Sequence, residues 1–517
     1  MLLLLLLLLL LQDEVGAAGL TTVSNASFSG TTRFIGNEWG ALQTRGGGGC
    51  SGCPGCWDCS PETISGIPLA VSFDGPLVLQ DNSMAVNFPS TWPYNATAME
   101  SIPSRGAGVH AVNTMLLVKG PTITTGHMQD AVVIQQGTAQ FLGAFTARDN
   151  QISSGPSLPA IAVLYFYKVR ATFHGSFVCA QDTRPSQAIP AATTELNTAC
   201  ISAFTSKLDF RNTVTAINNL GTGWNAPVLG CFESDIRFRG RAQISGNARK
   251  RAWSDDLQAS GSVSDEDSAG GAWQVRDCRI VADKRVTFYD NSAIAVTPAP
   301  GNVTYGAGGA VSADNSSLVF KGGLEVVGNE APRGGGLHLT GSLLRVSGGS
   351  FVCKNNVAAR QGGCMYAVRA YGTDTPPWGL GSVILWNSTS SCVQNNSASN
   401  VTVTDDSGMY FDPAGGVTGP CLAALAIVDS KVNYVGSGHM FGNNHSPAGT
   451  TSCDIAAFKG PDRGYNASET SFSCDGAQKR SIGAYNIGGD VCGSNCTSNN
   501  CTCPSPAEWS VAACKCT

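Results

Sequence analysis

Residues 308–329 read GGAVSADNSSLVFKGGLEVVGN, and residues 334–355 read GGGLHLTGSLLRVSGGSFVCKN. Eight paired positions are identical: Gly308/Gly334, Gly309/Gly335, Ser316/Ser342, Leu318/Leu344, Gly322/Gly348, Gly323/Gly349, Val326/Val352 and Asn329/Asn355. A block of this length in close succession marks a solenoid, in which each repeat buries its apolar face against its neighbours. Apolar residues alternate in three bursts. Val311 and Ala313 (Leu337 and Leu339) form the first, Leu318 and Phe320 (Leu344 and Val346) the second, and Val326 (Val352) anchors the third. Period-two alternation over four or five residues belongs to half-buried strands. Gly, Asn and Ser fill the gaps, as corners needing φ > 0 require. Three strands and three corners in roughly 20–30 residues make one coil of a parallel β-helix.

The expected fold is therefore all-β, a right-handed parallel β-helix with loop insertions and a small C-terminal cysteine-rich segment. Gly308, Gly309, Gly334 and Gly335 are read as corners. Asn329 and Asn355 fall at equivalent corners, where their amides either stack as a ladder or simply occupy left-handed turns. The half-block recurs at FSGTTRFIGN (28–37), FRGRAQISGN (238–247), FKGGLEVVGN (320–329) and VSGGSFVCKN (346–355). Each has a large apolar residue, Gly two later and Asn nine later. Copies near both ends predict one elongated domain over 20–490, despite a length of 517 residues that suggests two or three.

GGA before an apolar strand, with F-x-x-N or NN before the next Gly-Gly, resembles the repeat of polymorphic outer-membrane proteins and related extracellular β-helix proteins. The matching residues are Gly308-Gly309-Ala310-Val311 and Phe441-Gly442-Asn443-Asn444, with weaker copies elsewhere. The clean match covers about a third of the chain. The C-terminal series of amphipathic strands that bacterial members use as a barrel is not seen here. The resemblance implies a passenger-like surface protein with an adhesive or display role, and it carries no catalytic residues.

Met1 and Leu2 to Leu11 fit the apolar stretch of a secretory signal over residues 1–19, too short to span a bilayer. Twenty cysteines and eleven N-x-S/T sequons support the same compartment. The sequon asparagines are Asn25, Asn95, Asn302, Asn315, Asn387, Asn395, Asn400, Asn444, Asn466, Asn495 and Asn500. Charged residues are 13% of the chain, the net charge is −5, and no aromatic-basic stripe occurs, which argues against nucleic-acid binding. No transmembrane segment is expected in this chain. Arg249-Lys250-Arg251 reads as a solvated loop, with a processing site as the alternative.

Cys50, Cys53, Cys56 and Cys59 lie in the Gly-rich stretch 46–60. In a reducing compartment such a run holds zinc or an iron–sulfur cluster, and in an oxidising one it becomes a disulfide knot. The disulfide reading is adopted, with no metal and no cofactor. Cys179/Cys200 and Cys453/Cys474 each bracket about 20 residues and are expected to pin loop excursions at their base. Residues 491–517 resemble the start of an EGF-like or ephrin-receptor-like module, ending on Cys514-Lys515-Cys516. The chain stops where such a module continues, so a longer protein is expected.

β-Helices also carry polysaccharide lyases and hydrolases. The nearest acid–base candidates are Asp405-Asp406 and His439, but Met440 follows the histidine, and the Arg-Ile-Lys of polygalacturonase-like enzymes is missing. The expected function is a secreted or surface glycoprotein with a structural or adhesive role, binding an extracellular glycan or surface protein. A carbohydrate-active enzyme is the alternative. Specificity is expected in the insertions 43–66, 179–200 and 366–380, the last offering Tyr371 and Trp378 as ligand contacts.

Overall fold

The computed structural model describes residues 25–37, 42–45, 68–82, 108–127, 130–150, 153–154, 162–180, 195–196, 199–221, 226–251, 270–295, 307–359, 362–369, 381–398, 422–428, 430–434 and 439–442. Beyond these it describes the backbone of short strands between Ser452 and Cys516. Among the described residues every element is a strand. The strands form a parallel β-helix whose faces are a 24-stranded, a 13-stranded and a six-stranded sheet.

One coil shows how the sequence builds this shape. Val311–Asp314, Ser317–Phe320 and Leu324–Val327 are strands of four, followed by the two-residue Glu330–Ala331. The first two share the largest sheet, and the third and fourth belong to the other two. The fourth strand was not expected, because two residues are too few to display an alternation. The next coil repeats the order with Leu337–Thr340, Leu343–Ser347, Ser350–Lys354 and Val357–Ala358. Leu318 pairs with Leu344 and Phe320 with Val346, all four inside the core.

The third strand departs from the expected register. Val326 lies over Cys353, not Val352, and Asn329 over Asn356, not Asn355. The turn 347–350 has one residue more than its counterpart in the preceding coil, so Val352 faces outward and half-buried. A one-residue slip exchanges the two faces of a strand.

Both readings of the corner asparagine are realised, on neighbouring residues. The first corner residue is left-handed: Asn218, Gly246, Asp290, Gly328, Asn355 and Asn395 all have φ between 54° and 70°, apart from Asp290 at 52°. The residue after it is a buried asparagine. Asn219, Asn247, Asn291, Asn329, Asn356 and Asn396 form a continuous ladder, with Nδ2 donating to the next Oδ1 at 2.7, 2.8, 2.9, 2.9 and 2.9 Å. Each Oδ1 also accepts the backbone N–H of the asparagine in the coil before. The buried amides are thereby satisfied. A second ladder lines the corner between the first two strands. Ser206, Ser234, Ser316, Ser342, Ser382 and Ser430 each offer Oγ to a backbone N–H of the preceding coil, with Cys278 standing in for one rung.

The core is stacked as well as packed. Phe141, Phe173, Phe210 and Phe238 lie in one file at centroid separations of 4.8, 4.7 and 5.2 Å. In the next coil Ala282 occupies that file, and Trp273 fills the space beside Phe238 at 5.3 Å. Where the second strand turns, Gly75, Gly120, Gly143 and Gly175 stack so that a Cβ on any of them would strike backbone of the coil before. Gly308 and Gly334 have φ of 69° and 59°, and a Cβ there would meet the carbonyls of Val311 and Leu337.

Cys179 and Cys200 form a disulfide, as do Cys231 with Cys278 and Cys353 with Cys364, all six pointing into the core. Arg249-Lys250-Arg251 is not a loop. Ala248–Arg251 is a strand paired with Ser292–Ala295, and Arg249 is 3% exposed. Toward the C-terminus the pairing turns antiparallel, with Ser452–Phe458 against Gly483–Tyr485 and Cys496 against Cys501.

Candidate functional site

With the interior committed to stacking and corners, chemistry is left to the outward positions. The face built by Lys207–Phe210, Asp235–Phe238, Arg279–Ala282 and Ser317–Phe320 differs from the rest. The sequences KLDF and DIRF send Leu208, Phe210, Ile236 and Phe238 inward and their charged neighbours outward. Parallel pairing then aligns the outward residues into rows across the coils. Arg170, Lys207, Asp235 and Arg279 make one row, and Thr172, Asp209 and Arg237 the next. Arg211, Arg239, Asp283 and Lys321 follow at the turn, each hydrogen-bonded to the strand end one coil before.

These residues line a groove of about 440 Å³ in which seven Arg and Lys side chains meet two carboxylates, Asp209 and Asp235. Asp209 and the edge carboxylate Asp283 are each shared between two cations, and Asp235 faces one. Asp209 accepts from Arg239 Nε at 2.7 Å and from Arg211 Nε at 3.3 Å. Asp283, at the edge, receives Arg237 at 2.7 Å and Lys321 at 3.2 Å. Lys207 and Asp235 are 3.8 Å apart. Among the described residues Arg170 and Arg279 have no carboxylate partner. Exposed pairs of this kind contribute at most ~1 kcal/mol each. Their consequence is orientation, because they hold several guanidinium groups in a face that retains excess positive charge.

The ionisation pattern follows the same contacts. Partial burial pushes the Asp283 carboxyl up, but hydrogen bonds and charge from Arg237 and Lys321 outweigh it and hold it below the usual range. The Arg239 guanidinium is raised by its hydrogen bond to Asp209. His174, in the same row as Arg211, is lowered by partial desolvation and then by Arg211, with Asp209 opposing.

Most residues singled out from sequence lie away from this face. Of the sequon asparagines, Asn25, Asn387 and Asn395 present exposed side chains, whereas Asn315 sits half-buried at a left-handed corner with its Oδ1 shielded. Asn500 lies on a short strand, and Asn95, Asn302, Asn400, Asn444, Asn466 and Asn495 fall outside the described residues. So do Cys50, Cys53, Cys56, Cys59, Tyr371, Trp378, Asn443, Asp405 and Asp406. Cys453 and Cys474 lie on strands whose side chains are not described. The same holds for His439, whose strand pairs with Ser391–Gln394. Among the described residues no three His, Cys, Asp or Glu side chains gather as a metal site, and no helix is long and apolar enough to cross a membrane.

The charged face was missed because its members are spread over five coils and no two of its cationic rows are contiguous in sequence. The signal was present in the alternation of charge with Leu, Ile and Phe in KLDF and DIRF, followed by arginine in both. No family model, curated protein or solved structure matches the chain.

Proposed function

We propose that the protein is a secreted or cell-surface glycoprotein, an adhesive β-helical scaffold that binds an extracellular glycan or a surface protein without chemical turnover. The observation that carries this reading is the cationic groove, a local excess of positive charge on a chain whose net charge is −5. A rigid stack of coils holds a binding face in fixed geometry at little ordering cost, which suits a surface ligand extended along the solenoid. Three disulfides within the core fit an oxidising compartment. The likeness of the GGA and F-x-x-N elements to polymorphic outer-membrane repeats supports display at a surface, and among the described residues Asn25, Asn387 and Asn395 are exposed sequons able to carry glycans.

The test is adhesion of beads coated with the full chain to cells and matrix before and after enzymatic stripping of surface glycans and proteins. Capture that falls on either treatment supports the scaffold reading. Absence of capture on all surfaces overturns it, and release of shortened or unsaturated sugars from polysaccharide would replace it with a catalytic one.

A further inference from the structure

We infer that the groove is a docking site for a sulfated glycan laid along the solenoid axis. This inference rests on the scaffold reading above and names its ligand class. Three features of the face select that class.

The first is repetition. Arg170, Lys207, Arg237, Arg279 and Lys321 stand on five successive coils. Parallel strands repeat about every 4.8 Å, so the cations span about 19 Å along the axis. A point ligand meets one or two of these groups. Only a linear polyanion meets all of them.

The second is the state of the guanidinium groups. Arg239 and Arg211 turn their Nε edges to Asp209, and Arg237 turns its Nε and one amino group to Asp283. Each keeps further N–H donors for a ligand. Arg170 and Arg279, both exposed, flank the row on either side of Lys207 and Asp235. A carboxylate offers its acceptors in one plane, and here Asp209 and Asp283 already occupy the Nε edges of Arg211, Arg239 and Arg237. A tetrahedral sulfate presents acceptors in several directions and can bridge donors on adjacent coils without displacing either aspartate.

The third is the absence, among the described residues, of aromatic side chains from the groove lining. Single-stranded nucleic acid is held by bases stacked on aromatic rings as well as by phosphate contacts, and this face supplies only the charge contacts.

The experiment measures binding of the full chain to a size-defined heparin oligosaccharide, the same oligosaccharide after desulfation, polygalacturonate and a single-stranded oligonucleotide. The comparison protein is Arg170→Glu/Arg279→Glu, both exposed positions outside the core, with circular dichroism confirming the retained β-structure. Heparin binding is expected to weaken at least tenfold in the variant and to lose salt dependence equivalent to about two released counterions. Desulfated chains and polygalacturonate should bind at least tenfold more weakly than heparin. Equal binding of desulfated or carboxylated chains overturns the sulfate assignment, preferred binding of the oligonucleotide overturns the glycan assignment, and an unchanged variant overturns the site. A misfolded variant is replaced by Arg170→Gln/Arg279→Gln under the same criteria. Adhesion that persists on cells lacking sulfated glycans while heparin fails to bind leaves the scaffold reading standing and removes this one. Failure of both removes both.

Discussion

The coils of residues 199–295 and those of 307–359 rest on the same two ladders, yet they use their outward positions differently. In the later coils the outward residues of the second strand are Ser317, Val319, Leu343 and Arg345. In the earlier ones the same rows carry Lys207, Asp209, Asp235, Arg237 and Arg279. Interiors differ too, with stacked Phe210, Phe238 and Trp273 giving way to Leu318, Leu344 and Val346. The coil constrains only interior and corner positions. Outward residues vary without disturbing it, so the region that most openly displays the repeat and the region that carries the charge are not the same.

That separation breaks if an inward substitution is tolerated or an outward one is not. Phe320 is 1% exposed and stacks on Val346, while its neighbour Lys321 projects outward to Asp283. Phe320→Asp places an unpaired charge in the core and should cost on the order of 4–5 kcal/mol. Lys321→Asp should cost no more than ~1 kcal/mol. Chemical denaturation of the two variants checks the contrast, and comparable losses would contradict it.

The corner allows a finer cut. Asn329→Ala removes the acceptor for both the backbone N–H and Nδ2 of Asn291 inside the core, and about 3 kcal/mol should be lost. Asn355, equally prominent in the sequence repeat, is exposed with φ of 56°. Asn355→Ala should cost only ~1 kcal/mol through left-handed strain, and Asn355→Gly close to nothing. Equal effects at 329 and 355 would restore the register read from sequence.

Most of the fold was legible because a solenoid writes its constraints repeatedly. Leu318 over Leu344 and Phe320 over Val346 followed from a 26-residue offset that holds through the first two strands. The offset failed at the third, where one extra residue in the turn 347–350 shifted Val352 outward and moved the ladder to Asn356. Identity at Val326/Val352 and Asn329/Asn355 concealed the slip, since strand alternation reads equally well in either register. The groove was illegible for a different reason. Neighbours along its rows are 28 to 44 positions apart, with coil lengths irregular enough that aligning them requires the register itself. Arg249-Lys250-Arg251 shows the opposite error, where local charge suggested a loop and the sheet buries the arginine.

Two outward histidines sharpen the comparison through pH. His338, on Leu337–Thr340, is buried against Tyr366 with ring centroids 5.5 Å apart. Desolvation, with Arg333 adding, lowers it to about 3. The folded value lies below the unfolded one near 6.5, so the unfolded chain binds the extra proton between those limits. Stability is therefore full above pH 6.5 and falls as pH drops toward 3, by about 2 kcal/mol at pH 5. His338→Gln should flatten this dependence in melting temperature between pH 7 and 5. An unchanged slope would show that His338 is not the group titrating.

His174 belongs to the charged region, and its effect is smaller and concerns binding. It shares a row with Arg211, and both Arg211 and Asp209 of the next coil act on it, the first lowering and the second raising its affinity for protons. Partial burial adds the largest lowering, so the imidazole is neutral at pH 7 and becomes a cation only below its ordinary range near 6.5. A sulfated chain in the groove stabilises that cation, and by linkage the proton tightens the ligand. Heparin affinity should rise about two- to fivefold as pH falls from 7 to 5, corresponding to a partly exposed charge contact of about 0.5–1 kcal/mol. His174→Ala should abolish the rise while leaving affinity at pH 7 within twofold, because the neutral ring contributes no charge there. A rise that survives in His174→Ala would assign the titration to another group and detach this edge of the face from the ligand.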